Sequence, residues 1–411
     1  MDSDEEQERQ PSDIKIFVDN CDQYVGSAVA TFLAKEGYQV YGYGRFPPHP
    51  GIKMLGSRAE GIFSTELSVF EMMEDTTAVE EALEIINSHP LHKKVQIAIF
   101  SPLMTWGGRV LEKDEPNEEE DEEQANKTEE SNEEEEDQET EPETMVNEEN
   151  FLEREPHPLF TAQYTLESRA LQLNEELERL TVYIFAVGLL YGNGERVLYN
   201  FFRQLWDSSS NAFPSSKAHI SCLHVNNLGI AIRSLFELPE DEERRYFILA
   251  DQVTPSFREI GRAFSKILAD GKVCPVDEDL DPAYKALLTT ELAAESNFLQ
   301  DQELHCQEGI IENAAVVVDE FREKYHLEPI KVLVIGAPAS GYEEIAQQVS
   351  LAMESPLLLP LELVEEVKTE TSEFADEIRQ SIEDEEGKIS DDVICQGCRR
   401  RMQRRDCRNR G

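Results

Sequence analysis

A glycine-rich turn in the C-terminal part of the chain has the residue types that bind phosphate. The turn lies between an apolar segment, residues 331–335, and a segment with helical spacing, residues 342–353. Successive backbone amides in such a turn, together with the N-terminus of the following helix, converge on phosphate oxygens. We therefore predict a weak, residual ATP phosphate loop, which consists of Gly336, Ala337, Pro338, Ala339, Ser340 and Gly341.

The residues that follow this turn argue against phosphoryl transfer. In the pattern GxxxxGK[ST] a lysine neutralises the phosphates and a hydroxyl binds magnesium, but these positions carry Tyr342 and Glu343. A carboxylate ~5 Å from a phosphate opposes binding by about 3 kcal/mol at an effective dielectric of ~20. We therefore expect no catalytic residue and no bound metal at the turn. ATP and magnesium are expected only if a kinase site is active.

A second turn, near the N-terminus, has lost part of a dinucleotide-binding pattern. Residues 14–18 form an apolar run, residues 26–36 have a helical apolar face and residues 38–43 form another apolar run. Such a strand, helix and strand open a parallel, doubly wound sheet. Of the three glycine positions in the turn, Asn20, Gln23 and Gly26, only the one that lets helix and strand pack is glycine. We therefore expect no NAD(P) at this turn.

Several stretches resemble the extended short-chain dehydrogenase and epimerase superfamily. The turn at residues 20–26 resembles its GxxGxxG motif, and residues 185–192 and 224–228 resemble later motifs. The resemblance places Pro102 at the catalytic Ser or Thr position, Tyr164 at the catalytic Tyr position and Ser168 at the Lys position. A phenol with a pKa near ~10 needs a nearby cation to act as a base. The resemblance therefore implies a retained Rossmann-like scaffold without oxidoreductase or epimerase activity.

The order of the two turns resembles one particular kinase family. Residues 336–341 are similar to the phosphate-binding loop of adenylate kinases. Residues 104–106, 188–192 and 407–411 are similar to the ciliary type, adenylate kinase 7, in which a dehydrogenase-like domain precedes the kinase domain. This resemblance implies a cytoplasmic protein of the axoneme of motile cilia or flagella, with axonemal protein partners. We expect a non-catalytic structural or interaction role; the alternative is an active adenylate kinase that converts ATP and AMP to two ADP.

Composition divides the chain into a tail and two α/β domains. We predict a disordered tail at residues 1–12, a Rossmann-like pseudo-dehydrogenase domain at residues 13–325 and an incomplete, adenylate-kinase-like P-loop domain at residues 326–411. Within the first domain, residues 112–155 form a predicted disordered insertion. The stretch 114–149 contains 20 carboxylates and one lysine, so it cannot bury enough apolar surface to offset its ordering entropy.

The net charge and the cysteines exclude some partners. The chain has 85 acidic against 38 basic residues and a formal charge of -47, which opposes binding to nucleic acid and to anionic membranes. No apolar stretch reaches the ~18–20 residues that span a bilayer. The seven cysteines are expected to be reduced. Cys395 and Cys398 lack the second pair that structural zinc usually needs, so no zinc is expected.

Overall fold

A seven-stranded parallel sheet forms the centre of the molecule in this computed structural model. The structure describes residues 10–108, 142, 145–207, 210–239, 242–269, 271–328, 330–337, 339–353, 355–360, 362–363, 375–376, 379–380, 390–402, 404 and 407. The tail 1–9, most of the acidic insertion and Pro338 of the C-terminal turn lie outside the described residues.

Strands and helices alternate through most of the described chain. The strands are β1 (Lys15–Val18), β2 (Gln39–Gly42), β3 (Lys53–Met54), β4 (Leu67–Glu71), β5 (Val95–Pro102), β6 (Met145–Val146), β7 (Leu180–Val187), β8 (Leu189–Tyr191), β9 (Ala212–Ser215), β10 (Cys222–His224), β11 (Tyr246–Leu249), β12 (Lys272–Pro275) and β13 (Ala293–Ala294). The helices are α1 (Tyr24–Lys35), α2 (Arg58–Ser64), α3 (Thr77–Ser88), α4 (Thr161–Glu176), α5 (Tyr199–Trp206), α6 (Asn227–Leu235), α7 (Phe257–Leu268), α8 (Pro282–Thr289), α9 (Gly309–Glu312), α10 (Ala314–Lys324), α11 (Tyr342–Met353) and α12 (Asp391–Met402).

The central sheet has the order β11-β7-β5-β4-β1-β2-β3, with every neighbouring pair parallel. β5 and β7 are apolar runs that are buried almost throughout, as expected for strands covered on both faces. One face packs against α1 and α6, and the other packs against α3 and α4. The predicted Rossmann-like α/β fold is confirmed.

A smaller aromatic core lies beside the sheet. It joins α5, β9 and α7 to α9 and α10. Phe202 and Phe264 have ring centroids 4.6 Å apart, and Phe321 packs edge-on against Phe202 at 5.4 Å. These contacts attach the helices after residue 300 to the rest of the fold.

The end of the acidic insertion differs from the prediction. Residues 145–146 pair with β13 as β6, and residues Glu148–Glu153 form a 3-10 helix. Arg154 is buried against Glu167 of α4. Phe151 also stacks on Tyr246 with ring centroids 5.0 Å apart. These contacts pack the last ten residues of the predicted insertion against the fold.

The predicted strand at residues 331–335 is wrong, whereas the helix after the turn forms as α11. Among the residues that the structure describes, 331–335 pair with no strand. Leu333 and Ile335 are 81% and 82% exposed. A parallel strand is stable only with neighbours that satisfy its backbone and cover its faces, so the apolar pattern alone does not form one.

Candidate functional site

The carboxyl ends of the central strands form a crevice where the strand order reverses. From β1 the chain continues to β2 and β3 on one side, and it then returns to place β4 on the other side of β1. Ligands of open α/β sheets bind outside the carboxyl ends of the strands at such a switch point. The crevice is therefore the first place to look for a binding site.

A mainly apolar cavity of about 60 Å³ lies in this crevice. It is lined by the first turn of α1, by the segments that follow β4 and β5, and by the junction of β7 and β8. The described wall includes Tyr24, Val25, Met73, Leu103, Met104 and Leu189. The volume is far below the ~300–1,000 Å³ of typical ligand pockets, so the cavity takes only a small part of a ligand.

Two charged side chains lie at the wall of this cavity. Arg196 forms an ion pair with Glu74, and Glu74 Oε1 accepts a hydrogen bond of 3.1 Å from the Tyr284 hydroxyl. The Arg196 side chain is 32% exposed. Burial raises the pKa of nearby Glu71, and the charge of Arg196 opposes that shift. An accessible guanidinium beside an apolar cavity is suited to an anionic group on a ligand.

The loop that carries Arg196 has an uncommon backbone. Residues Gly192, Asn193, Gly194 and Glu195 have φ values of 84°, 51°, 102° and 46°, all in the left-handed region. A Cβ on Gly192 would lie 1.9 Å from His224 Nε2, so glycine is required there. Strained conformations of this kind collect at binding and catalytic sites, where the surrounding structure maintains them.

The turn between β1 and α1 combines one left-handed residue with a close glycine contact. Asn20 has φ 45°, the left-handed conformation that glycine adopts most easily. A Cβ on Gly26 would lie 2.4 Å from the Asn20 carbonyl oxygen, so helix and turn pack as closely as predicted. The first turn of α1 has no side-chain cap in the described structure. A helix N-terminus without a side-chain cap can bind an anion.

Two arginines offset the acidic residues of this turn. Arg58 binds buried Asp19 at 2.9 Å and also pairs with Glu81. Burial raises the pKa of Asp19, and the Arg58 contact opposes that rise. Asp22, whose side chain is 3% exposed, pairs at 2.9 Å with Arg45, whose side chain is 77% exposed. Arg45 follows β2, where Rossmann folds place the residue that meets the adenosine ribose or its phosphate.

The three predicted dehydrogenase positions lie at the end of β5 and on α4. Pro102 lines the cavity, and it has no hydroxyl. Tyr164 is not among the residues that line the cavity, and its ring packs 4.8 Å below the Arg154 guanidinium. The Ser168 hydroxyl donates to the Tyr164 carbonyl at 3.0 Å within α4. Glu74, Arg196 and Tyr24, which do line the cavity, were not identified from the sequence. The run Gly192 to Gly194, which favours a left-handed loop, was the available signal.

The described residues of the C-terminal turn pack against each other. A Cβ on Gly336 would lie 2.5 Å from Ser340 Oγ and 3.1 Å from the Tyr342 ring, so both side chains lie against the start of the turn. Glu343 and Glu344 occupy the first turn of α11. Ala339 and Gly341 have φ values of 65° and 78°. An aromatic residue and two glutamates therefore begin α11, where the kinase pattern has a lysine and a hydroxyl residue.

Two curated proteins with the same name are similar to the chain in sequence. No protein-family model matches the chain. Adenylate kinase 7 of Mus musculus is 23% identical over 84% of this chain, and adenylate kinase 7 of Macaca fascicularis is 22% identical over 60% of it. The chain is therefore similar in sequence to proteins named adenylate kinase 7. The chain spans 59% and 53% of the length of these two relatives.

Solved structures share the fold of about three quarters of the chain. MoeE5 in complex with UDP-glucose and NAD superposes with a TM-score of 0.53 at 12% identity, covering 76% of this chain and 99% of MoeE5. The NAD-dependent NDP-hexosamine 5,6-dehydratase TunA superposes with a TM-score of 0.51 at 13% identity, covering 75% of this chain and 98% of TunA. UDP-N-acetylglucosamine 4-epimerase from Bacillus cereus superposes with a TM-score of 0.51 at 10% identity, covering 76% of this chain and 99% of the epimerase. The fold is therefore that of the Rossmann-type epimerases and dehydratases.

These neighbours correct the expectation that NAD(P) does not bind. That expectation treated the replacement of two glycines by Asn20 and Gln23 as the loss of the dinucleotide turn. The fold is instead one in which MoeE5 is named as holding NAD and TunA as NAD-dependent. In addition, Asn20 itself adopts the left-handed backbone that glycine would supply.

Proposed function

We propose that the Rossmann-fold part of this adenylate kinase 7-like protein binds a dinucleotide of the NAD(P) type in the switch-point crevice. The observation that carries the proposal is the continuity of the crevice: the uncapped first turn of α1 supplies Tyr24 and Val25 to the wall of the apolar cavity. A phosphate site and an apolar recess thus lie next to each other, as a dinucleotide requires.

The hydrogen-bond donors and cations of the crevice match the anionic groups of such a ligand. N–H groups at the start of α1 would bind the pyrophosphate, and Arg45 would lie on the adenosine side. Arg196 would meet an anionic group near the apolar recess. Bound NAD(P) would supply a hydride donor or acceptor.

The side chains needed for turnover are not in the cavity. Pro102 offers no hydroxyl, and Tyr164 packs under Arg154 elsewhere. Tyr24 donates to the Gly192 carbonyl at 2.7 Å, and burial raises its pKa well above the ordinary value, so it is not a base at neutral pH. The proposed role of the dinucleotide is therefore to bind, as a structural or regulatory ligand, without turnover.

The same proposal includes a structural role in motile cilia or flagella. The proposed setting and its axonemal partners rest on the sequence resemblance at residues 104–106, 188–192 and 407–411, and the two relatives share the name of that family. The C-terminal turn, with Tyr342 and Glu343 at the lysine and hydroxyl positions, favours a role without phosphoryl transfer. Among the described residues, no helix is both long enough and apolar enough to cross a bilayer.

Thermal unfolding of the full chain with and without NADH and NADPH tests the binding proposal. A ligand that binds only the folded state at about 100 times its Kd stabilises it by ~2.7 kcal/mol, so the melting temperature should rise by at least a few degrees. Adenosine alone is the control for a nonspecific effect. An unchanged melting temperature at millimolar NADH and NADPH would contradict the proposal.

A further inference from the structure

A cysteine and two histidines lie together outside the cavity. His224 at the end of β10, His305 and Cys306 each offer a ligand or donor atom, and these atoms all lie within 4.8 Å of one another. The rings of His224 and His305 have centroids 4.2 Å apart. Cys306 has φ 56°, a left-handed backbone that its neighbours must hold in place.

One carboxylate, Glu320 of α10, organises this group. Its two oxygens bind His224 Nε2 at 2.9 Å and His305 Nε2 at 2.8 Å, and Oε2 also accepts the Asn193 N–H at 2.7 Å. Burial opposes ionisation, but the bonds from His224 and His305 hold the pKa of Glu320 well below its usual range. Glu320 is therefore a fixed negative charge at neutral pH.

The tautomer of His224 does not suit a metal ligand. Its Nδ1 accepts the Asn226 N–H at 3.2 Å, so its Nε2 carries the proton that points to Glu320. A histidine that binds metal through Nε2 normally donates its Nδ1–H to an acceptor, which is the opposite arrangement. The group therefore fits a network of proton donors around Glu320 better than a metal centre.

His305 is placed between Glu320 and the thiol of Cys306. Hydrogen bonds with Cys306 and with Glu320 raise the pKa of His305 to about 10. At neutral pH the imidazole is therefore a cation beside the Cys306 sulfur. The Cys306 sulfur lies within 4.8 Å of the His224 and His305 ring nitrogens, and the residue is half-buried. A thiol with an imidazole beside it is a candidate nucleophile.

We propose that Cys306 is a nucleophilic thiol that a small peroxide oxidises, with His305 positioned by Glu320 to assist it. In the step, the Cys306 thiolate attacks one oxygen of hydrogen peroxide and the O–O bond breaks. The sulfur gains an S–OH group, and the leaving hydroxide takes the proton of the His305 imidazolium to form water. Sulfur is oxidised, peroxide is reduced and the charges balance.

Other cysteines of the chain provide an internal reference. Cys274 and Cys398 are partly buried like Cys306. Burial raises the pKa of both thiols, and a nearby Asp277 or Cys395 adds to the rise. The proposal therefore predicts that Cys306 reacts faster than either of them in the same molecule.

The test is peroxide oxidation of the full reduced chain at neutral pH with dimedone present, followed by peptide mass spectrometry. Cys306 should be labelled about tenfold faster than Cys274 and Cys398, as expected for a thiol with a cation partner. His305→Gln should lower the Cys306 rate about tenfold, and His305→Arg, which keeps a cation, should retain most of it. The rates at Cys274 and Cys398 should not change in either variant.

Three results would overturn the proposal. Equal labelling of Cys306, Cys274 and Cys398 would show no special reactivity. An unchanged Cys306 rate in His305→Gln would remove the role of the imidazolium. Protection of Cys306 by equimolar zinc chloride, reversed by a chelator, would assign the group to a metal instead.

Discussion

At the scale of single residues, two buried carboxyl groups have raised pKa values. Burial raises the pKa of Glu195 to about 8 and the pKa of Asp251 to about 7. Glu195 Oε1 accepts the Gly192 N–H at 2.6 Å, but its Oε2 has no hydrogen-bond partner among the described residues. Asp251 accepts the Tyr191 hydroxyl at 2.8 Å. Both groups hold protons more tightly in the folded state than in the unfolded chain.

Glu195→Gln should therefore gain stability relative to the native chain as the pH rises. A carboxyl whose folded-state pKa is raised destabilises the fold progressively from about pH 4.5, where the unfolded group ionises, up to about pH 8. The free energy of unfolding of Glu195→Gln, minus that of the native chain, should be larger at pH 8.5 than at pH 5 by roughly 2–4 kcal/mol. Urea unfolding at the two pH values measures it.

Glu176→Gln is the matched control, because the Glu176 side chain is 47% exposed and lies in a loose ion pair. The free energy of unfolding of Glu176→Gln, minus that of the native chain, should be the same at both pH values. If the free energy of unfolding of Glu195→Gln changes with pH just as that of the native chain does, Glu195 is ionised in the folded state and the account of its burial is wrong.

At the scale of elements, an ion pair attaches the end of the acidic insertion to α4. Arg154 Nε and Nη2 donate to Glu167 Oε2 at 3.0 and 2.7 Å, and the two side chains are 3% and 0% exposed. The guanidinium also lies 4.8 Å from the ring centroids of both Tyr164 and Tyr246. The contact holds the end of the insertion against α4.

Arg154→Met should destabilise the fold by about 3–5 kcal/mol, because it leaves the Glu167 carboxylate buried without its cation. Chemical denaturation of the full chain measures this loss. Arg169→Met is the control: Arg169 pairs with Glu176 at 3.6 Å with both side chains exposed, so its loss should cost under ~1 kcal/mol. Equal effects of the two variants would show that burial does not decide the strength of these pairs.

The C-terminal turn makes a prediction about phosphoryl transfer. Incubation with ATP, AMP and magnesium should yield no ADP above a buffer blank in a coupled assay. Tyr342→Lys should not restore activity, because Glu343 and Glu344 remain in the first turn of α11 and no strand forms at residues 331–335. Turnover by the native chain would favour the alternative, an active adenylate kinase.

Sequence patterns predicted some elements better than others. The buried runs of β5 and β7 and the helical faces of α1, α3 and α7 follow from periodicity, because burial on both faces or on one face sets the apolar spacing. The segment 331–335 is apolar too, yet it does not form a strand. A strand needs neighbouring strands to pair with, and the apolar pattern carries no information about them. Tyr164 likewise has the expected residue type, but its contact with Arg154 is a tertiary feature.

At the scale of the whole molecule, a left-handed turn and an apolar cavity adjoin at one edge of the sheet. The sequence indicated the turn and its lost glycines. It did not indicate that Asn20 would adopt φ 45°, since the conformation of a single residue depends on the packing of Gly26 against it. It also did not reveal the cavity, because Glu74 and Arg196 are far apart in sequence and meet only when the sheet has formed.

Calorimetric titration of NADH into the full chain tests the central claim most directly. We predict one site per chain with a micromolar Kd, near-native affinity in Asn20→Gly and at least tenfold weaker binding in Asn20→Val, since a β-branched residue disfavours a positive φ. His326→Val, which replaces another left-handed residue away from the crevice, controls for strain alone and should bind normally. Absence of measurable heat at millimolar NADH, or equal binding by Asn20→Val, would contradict the account.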